Sequence, residues 1–184
     1  MKALIINQSQ QAGIEWQITS QIADCLYCTL NREGKIKVSL VPCYRRTDTI
    51  DSDSTLLIQS VNVANDFYKK YRAAGLSHMD ICQIDIHADS LNGKTFGTSA
   101  LYISENGNRL AEIVCRELSN LTPWGDRGIV KRTDLWTLKK SSAVNIVSEI
   151  SFYDESRQRQ WMKDNVPLIT NSLKNAIYKY HNVV

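Results

Sequence analysis

The sequence is short of several things, and each shortage excludes something. No run of apolar residues approaches the roughly 18 that a membrane span requires, so no stable membrane association is expected. Near the start, Ala3-Leu4-Ile5-Ile6 is an apolar run of four residues followed at once by polar ones. That is too short for the core of a secretory signal, and synthesis in the cytoplasm is expected. Charge of one sign is scarce too: 22 basic against 19 acidic residues leave a net charge of +3. Such a small excess creates no field that argues for nucleic acid, and none is expected as a partner. The five cysteines, Cys25, Cys28, Cys43, Cys82 and Cys115, are an odd number without the density of a secreted disulfide scaffold. They read as free thiols of a reducing compartment. Cys25 and Cys28 have C-x-x-C spacing but fall inside a helical pattern with no second pair, so helix packing is the expected role. Histidine is sparse, with only His78, His87 and His181 available for any imidazole chemistry.

What is present is an ordinary globular composition, 43% hydrophobic and 22% charged over 184 residues. This length suits one domain, 1–184, around one core. No internal repeat, low-complexity tract or linker interrupts it. Apolar runs at 3–6, 36–41, 81–87, 99–103, 135–138 and 144–150 predict strands. Between them Ile14, Ile18, Ile22, Cys25, Leu26 and Leu30 recur at the three- and four-residue spacing of one helix face, with Gly34 as its left-handed terminator. The same spacing predicts helices over 55–74 (Leu57, Val61, Ala64, Phe67, Tyr68, Tyr71), over 108–119, and once more through Val166, Ile169, Leu173, Ala176, Ile177 and Tyr180. Residues 7–13, 43–54 and 122–128 read as polar or turn-rich loops. The alternation of strands and helices predicts a single three-layer α/β domain, a twisted, mostly parallel sheet of about six strands with helices on both faces.

Two strands carry the chemistry. Gln83-Ile84-Asp85-Ile86-His87-Ala88-Asp89-Ser90 is a buried-strand pattern that stops at a histidine and runs into a small, polar loop. Val144-Asn145-Ile146-Val147-Ser148-Glu149-Ile150-Ser151-Phe152 delivers a lone carboxylate near the end of an apolar strand. Strand ends at the carboxyl edge of an α/β sheet are where such folds build their sites. A carboxylate among Val147, Ile150 and Phe152 is costly to bury without a partner or a metal, and desolvation there raises its pKa toward general acid–base use. Glu15, at the opening of the first helix, is the third candidate. It serves either the positive end of the helix dipole or a site.

These residues resemble a family. Ile84-Asp85-Ile86-His87-Ala88-Asp89-Ser90 is similar to the S-I-H-x-N strand end of zinc-dependent N-acetylmuramoyl-L-alanine amidases, the cell-wall amidases of bacteria and phages. Ala64-Asn65 resembles the A-N that precedes that strand, and Gly97 through Ile103 the G-x-x-x-x-Y strand that follows it. Asp126-Arg127-Gly128-Ile129-Val130-Lys131 with Leu135-Trp136-Thr137-Leu138 resembles D-R-G-V-K … L-x-V-L, and Val147-Ser148-Glu149-Ile150-Ser151-Phe152 resembles the strand of the catalytic glutamate. The order and spacing agree over nearly the whole chain.

The resemblance implies zinc held by two histidines and a glutamate, with a second glutamate as catalyst. Carried over, His87 is one histidine ligand, Glu15 the glutamate ligand and Glu149 the catalyst. The other histidine belongs in the loop after the first strand, where this sequence has Asn7-Gln8-Ser9-Gln10-Gln11, and Gln10 takes the ligand's place. The loop from there to Glu15 is also shorter than the family's. His78 precedes His87 by about 30 Å of extended chain and His181 ends the last helix, so neither substitutes. The implied reaction is hydrolysis of the amide between N-acetylmuramic acid and L-alanine in peptidoglycan, with Trp124, Tyr102 and Trp136 available to stack on glycan or stem. The expected setting is a lysin made in the cytoplasm that acts on the wall after release. A degenerate relative that binds wall fragments without metal, and a zinc peptidase cutting within the stem, are the rival readings.

Overall fold

Strands β1 (Ala3–Gln8), β2 (Lys37–Leu40), β3 (Ile81–Asp89), β4 (Thr98–Tyr102), β5 (Asp126–Lys131) and β6 (Val144–Phe152) form one sheet in the order β2-β1-β3-β6-β4-β5. A computed structural model describes residues 1–11, 13–42 and 53–184. Every neighbouring pair is parallel except β4 and β6, which run antiparallel. The helices are α1 (Ile14–Glu33), α2 (Asp53–Ala73), α3 (Glu105–Ser119), α4 (Trp136–Lys140), α5 (Ser156–Asp164) and α6 (Val166–His181).

The two-residue period of a strand divides β3 between two environments. Cys82, Ile84 and Ile86, with Leu4 and Ile6 of β1 and Val144 and Ile146 of β6, join the main core under α1, α3 and α6. On the opposite face Ala3, Ile5 and Ile81 pack with Ala64 and Leu76 in a smaller core that includes α2. That face then turns polar along β3, through Gln83 and Asp85 to His87. Helices therefore cover both faces, as expected of a three-layer α/β domain, and the face under α1, α3 and α6 is the more apolar of the two.

Local signals account for most element boundaries. In α1, Ile18, Ile22, Leu26 and Leu30 are buried, and Gly34 closes the helix at φ 67° with its N–H on the Leu30 carbonyl. Ile14, expected on the buried face, is 40% exposed, because the helix begins at the sheet edge rather than over it. Asn65 of α2 donates to the Lys140 carbonyl at 2.9 Å and accepts from Ser142 N–H at 2.7 Å, which ties α2 to the entry of β6.

Two expectations need correction. The strand predicted at 135–138 is the start of the short helix α4, and the sixth strand is β5, within residues read partly as a loop. Its sequence begins Asp126-Arg127-Gly128, with Gly128 at φ 82°, and looks like a turn. As an edge strand it pairs only with β4, so burial left little apolar pattern on it. The first strand runs on through Asn7 and Gln8, both buried, rather than ending at Ile6. The last helix runs over Val166–His181 as expected, with Pro167 in its first turn, and the short helix α5 before it was not foreseen. The loop expected over 43–54, with Cys43, falls mostly outside the described residues. The four described cysteines, Cys25, Cys28, Cys82 and Cys115, are free thiols.

His181, at the end of α6, is buried, its Nε2 3.2 Å from the Cys82 Sγ. Burial, with the nearby Lys2 charge, pushes its pKa down to about 4. The unfolded chain binds this proton more readily, so the contribution is fully present above the ordinary value of about 6.5 and is lost as pH falls toward 4. Urea unfolding between pH 7 and pH 4 should show a decline of up to ~3 kcal/mol attributable to this residue. A His181→Phe protein that retains the fold should lose that part of the acid sensitivity; an unchanged pH profile would remove His181 as its source.

Candidate active site

Strand pairing brings the candidate residues to one edge of the sheet. Residues of β1, β3 and β6 lie in parallel register, with Gln8 beside Ile86 and His87 beside Glu149. All three strands therefore end together. Strand β4 runs the other way, so its beginning comes to the same edge: Ser99 pairs with Glu149, and the Thr98 hydroxyl donates to the Glu149 carbonyl at 2.9 Å. Strand β5 is parallel to β4, with Asp126 beside Thr98, and its first residues arrive there as well.

Glu15 reaches this edge from the first turn of α1. Gly13, at φ 96°, makes the backbone turn into that helix, a conformation L side chains rarely adopt. Glu15 is 2% exposed. Its Oε1 lies 2.9 Å from His87 Nδ1 and accepts a longer contact of 3.4 Å from the Ala88 N–H. The two residues are thus in direct contact despite their separation in sequence. Burial pushes the His87 pKa down, but the Glu15 hydrogen bond and the charges of Glu149, Glu15 and Asp85 more than reverse this and hold it up at about 9. Burial raises Glu149 to about 7; His87 opposes that rise, and Asp89 and Glu15 add to it.

Glu149 also leaves a polar atom unanswered. Its Oε2 is buried without a hydrogen-bond partner among the described residues, and so is the Oε1 of Gln8. Both residues line a cavity of about 670 Å³ shared with Asn7, Gln10, Asp85, His87 and Asp89. Gln10 is 6% exposed, and its amide nitrogen donates to the Gln8 carbonyl at 3.2 Å. Among the described residues no three His, Cys, Asp or Glu side chains form a group able to hold a metal by themselves. The set nonetheless suits a borderline divalent cation such as zinc. Zinc ligands bound at roughly 2.0–2.2 Å stand a little over 3 Å apart, close to the Glu15–His87 separation. Carboxylates outnumber the lone imidazole, and neutral amide oxygens from the first loop are at hand as a third donor.

Asp85, directly before this edge, is the functional neighbour that sequence reasoning passed over. It is fully buried yet satisfied: Gln83 Nε2 donates to it at 2.6 Å, and the Thr137 hydroxyl and Asn145 amide also donate. Ser141 in turn donates to Gln83 at 2.9 Å. This network pins α4 across the strands and so sets Trp136, 40% exposed, into the cavity wall beside Leu135, Val130 and Leu57. The polar residues Gln83, Asp85 and His87, spaced by two, were the signal available for it. Of the other aromatic candidates, Trp124 packs on Phe96 and Trp161, and Tyr102 on the main core. Neither lines the cavity. His78 meets Tyr68 at 3.0 Å, and like His181 it is engaged elsewhere.

The Glu15 contact gives a direct expectation for the metal-free protein. Glu15→Gln removes the hydrogen bond and charge that hold the imidazole proton, leaving burial to dominate. The His87 ring signals, followed by NMR against pH, should titrate well above the ordinary histidine range in the parent and drop by at least ~1 pH unit in the variant. Identical curves would separate the two groups electrostatically.

With this geometry in view, comparison with known proteins is specific. Residues 7–179 match the family described as N-acetylmuramoyl-L-alanine amidase. No curated protein matches the chain. Among solved structures, the catalytic domain of CwlV, an amidase from Bacillus (Paenibacillus) polymyxa var. colistinus, superposes at a TM-score of 0.78 and 19% identity, covering 100% of both chains. The amidase AmiC2 of Nostoc punctiforme gives 0.74 at 18% identity over 99% of this chain and 98% of its own. The catalytic domain of the endolysin CD27L, which targets Clostridia difficile, gives 0.74 at 20% identity over 95% of this chain and 98% of its own. At these identities the likeness is one of fold, and the match over 7–179 carries the rest: the chain belongs to the N-acetylmuramoyl-L-alanine amidase family of peptidoglycan hydrolases.

Proposed function

We propose that this cavity hydrolyses the amide between N-acetylmuramic acid and L-alanine with the help of zinc, held by His87, Glu15 and a neutral amide oxygen from Gln10. The carrying observation is the buried, unpartnered Oε2 of Glu149 beside the His87–Glu15 contact. A carboxylate is not left in that state by packing alone, since an unanswered buried acceptor costs about 1–3 kcal/mol. When bound, zinc supplies Lewis acidity toward the substrate carbonyl and toward water.

The protein's own groups do the rest. Glu149, held near neutrality by burial, takes the proton of the attacking water on Oε2 and returns it to the departing nitrogen of L-alanine. Without the metal, Glu15 holds the His87 ring in place through Nδ1. Asp85, through Thr137, holds the wall that carries Trp136, whose exposed ring offers a stacking face to sugar or stem.

Digestion of purified wall should release new muramoyl carboxyl ends and L-alanine amino termini in equal amounts; new ends within the stem would indicate a peptidase instead. Glu149→Gln keeps the side chain's shape but cannot carry the proton, and turnover should fall by about 10²-fold or more with metal content unchanged. A variant with near-normal turnover would exclude Glu149 from the chemistry. His87→Ala should lose metal and activity together, as measured by elemental analysis and by the same digestion.

Gln10 offers zinc only a neutral carbonyl oxygen, a weaker donor than imidazole. Gln10→His should therefore tighten zinc binding by roughly tenfold or more in a competition titration against a chelator. Equal affinities would place Gln10 outside the metal's reach. A parent protein that binds neither zinc nor any other divalent cation, and leaves wall intact, would identify a binding relative that has lost catalysis.

A further inference from the structure

Two arginines line the cavity, Arg127 at the start of β5 and Arg132 just beyond its end. They differ in one respect. Arg132 is engaged: its guanidinium makes a two-point contact with Asp134, at 2.8 Å and 2.7 Å. Arg127 makes no hydrogen bond or ion pair with any described residue, yet it is held in place. Its guanidinium carbon lies 4.9 Å from the centre of the Phe152 ring, and Phe152 is 1% exposed. Its aliphatic stem crosses Gly97, where an added Cβ would come within 3.1 Å of the Arg127 Cγ and 3.0 Å of the Gly125 carbonyl. Gly97, at φ 104°, thus leaves the space the stem occupies. The charge of Arg127 is felt by Asp89, which also lines the cavity, but no ion pair joins them. A fixed guanidinium with its donors unspent, in a cavity otherwise rich in carboxylates, is suited to receive an anion from outside.

We propose that Arg127 is a specificity-determining residue that binds a carboxylate of the stem peptide. This rests on the reading of the cavity as a muramoyl-amide hydrolase site. The chemistry of such a substrate selects the peptide side. The muramoyl carboxyl is consumed in the scissile amide and the N-acetylated sugars are neutral, so every carboxylate lies beyond the L-alanine. The first of these along the stem is the α-carboxyl of a γ-linked D-glutamyl residue. Amidation of that group removes the charge and nearly nothing else. Arg127 accordingly distinguishes stems with a free acid from amidated ones. A guanidinium at this edge places two parallel N–H donors where a planar carboxylate can accept both.

The test uses two muropeptides that differ only in whether that α-carboxyl is free or amidated, with the metal-loaded protein and its Arg127→Gln and Arg127→Lys variants. Arg127 is exposed, so the variants should fold, which their thermal midpoints check. Equilibrium binding is measured by calorimetry on each pair, and kcat and KM on the same pair. The parent should favour the free acid by about tenfold, expressed in Kd and KM rather than kcat. Arg127→Gln should abolish the preference by weakening only the acid, and Arg127→Lys should restore part of it. Asp89→Asn, which removes the competing charge, should strengthen it. A parent that binds both equally, that binds neither, or an Arg127→Gln variant that keeps the preference, overturns the subsite. If binding discriminates but neither muropeptide is cleaved, the carboxylate subsite stands and the hydrolase reading falls.

Discussion

The contact between Glu15 and His87 is the constraint on which the rest of the site depends. It joins the first turn of a helix to the end of a central strand, and it takes the carboxylate out of water while the imidazole keeps part of its surface exposed. A carboxylate 2% exposed is stable there only with a cationic or donating partner. The strand supplies one in the imidazole and a second in the Ala88 N–H. Once β3 is anchored in this way, parallel pairing with β6 carries Glu149 alongside, and the reversed direction of β4 closes the edge from the other side. The site is thus a consequence of register as much as of side-chain chemistry.

The two faces of the sheet do different things. Beneath α1, α3 and α6 the strands present a mainly apolar surface, interrupted on β6 by the buried Ser148. On the other face the same strands hold two buried acids in opposite conditions. Asp85 accepts from Gln83, Thr137 and Asn145 and is therefore structural, a clamp for α4. Glu149 keeps an oxygen with no donor among the described residues. The same face thus satisfies one carboxylate three times over and leaves its neighbour short.

Much of this was legible from residue order. Ala3-Leu4-Ile5-Ile6, the run into His87 and the run through Glu149 are central strands, and strands buried on a helical layer announce themselves by apolar density. The α1 face and its Gly34 terminator were equally plain. β5 was not, because an edge strand with a partner on one side needs little apolar content and its Asp-Arg-Gly start mimics a turn. Leu135-Trp136-Thr137-Leu138 misled in the opposite sense. Its apolar residues line a cavity and cover a polar network, so they lie on a short helix although they read as a strand.

The sequence by itself determined the central strands, the long helices, the layer count and the identity of the acid and imidazole candidates, because hydrophobic period and lone buried charges are local properties. It said nothing of how far apart those candidates stand. That Glu15 touches His87, that Glu149 rather than Asp85 is left unsatisfied, and that Arg127 rather than Arg132 keeps its donors unspent were decided only by the tertiary structure. Each of these depends on which partners the folded chain brings within about 3 Å, a distance that hydrogen bonding enforces and sequence spacing does not encode.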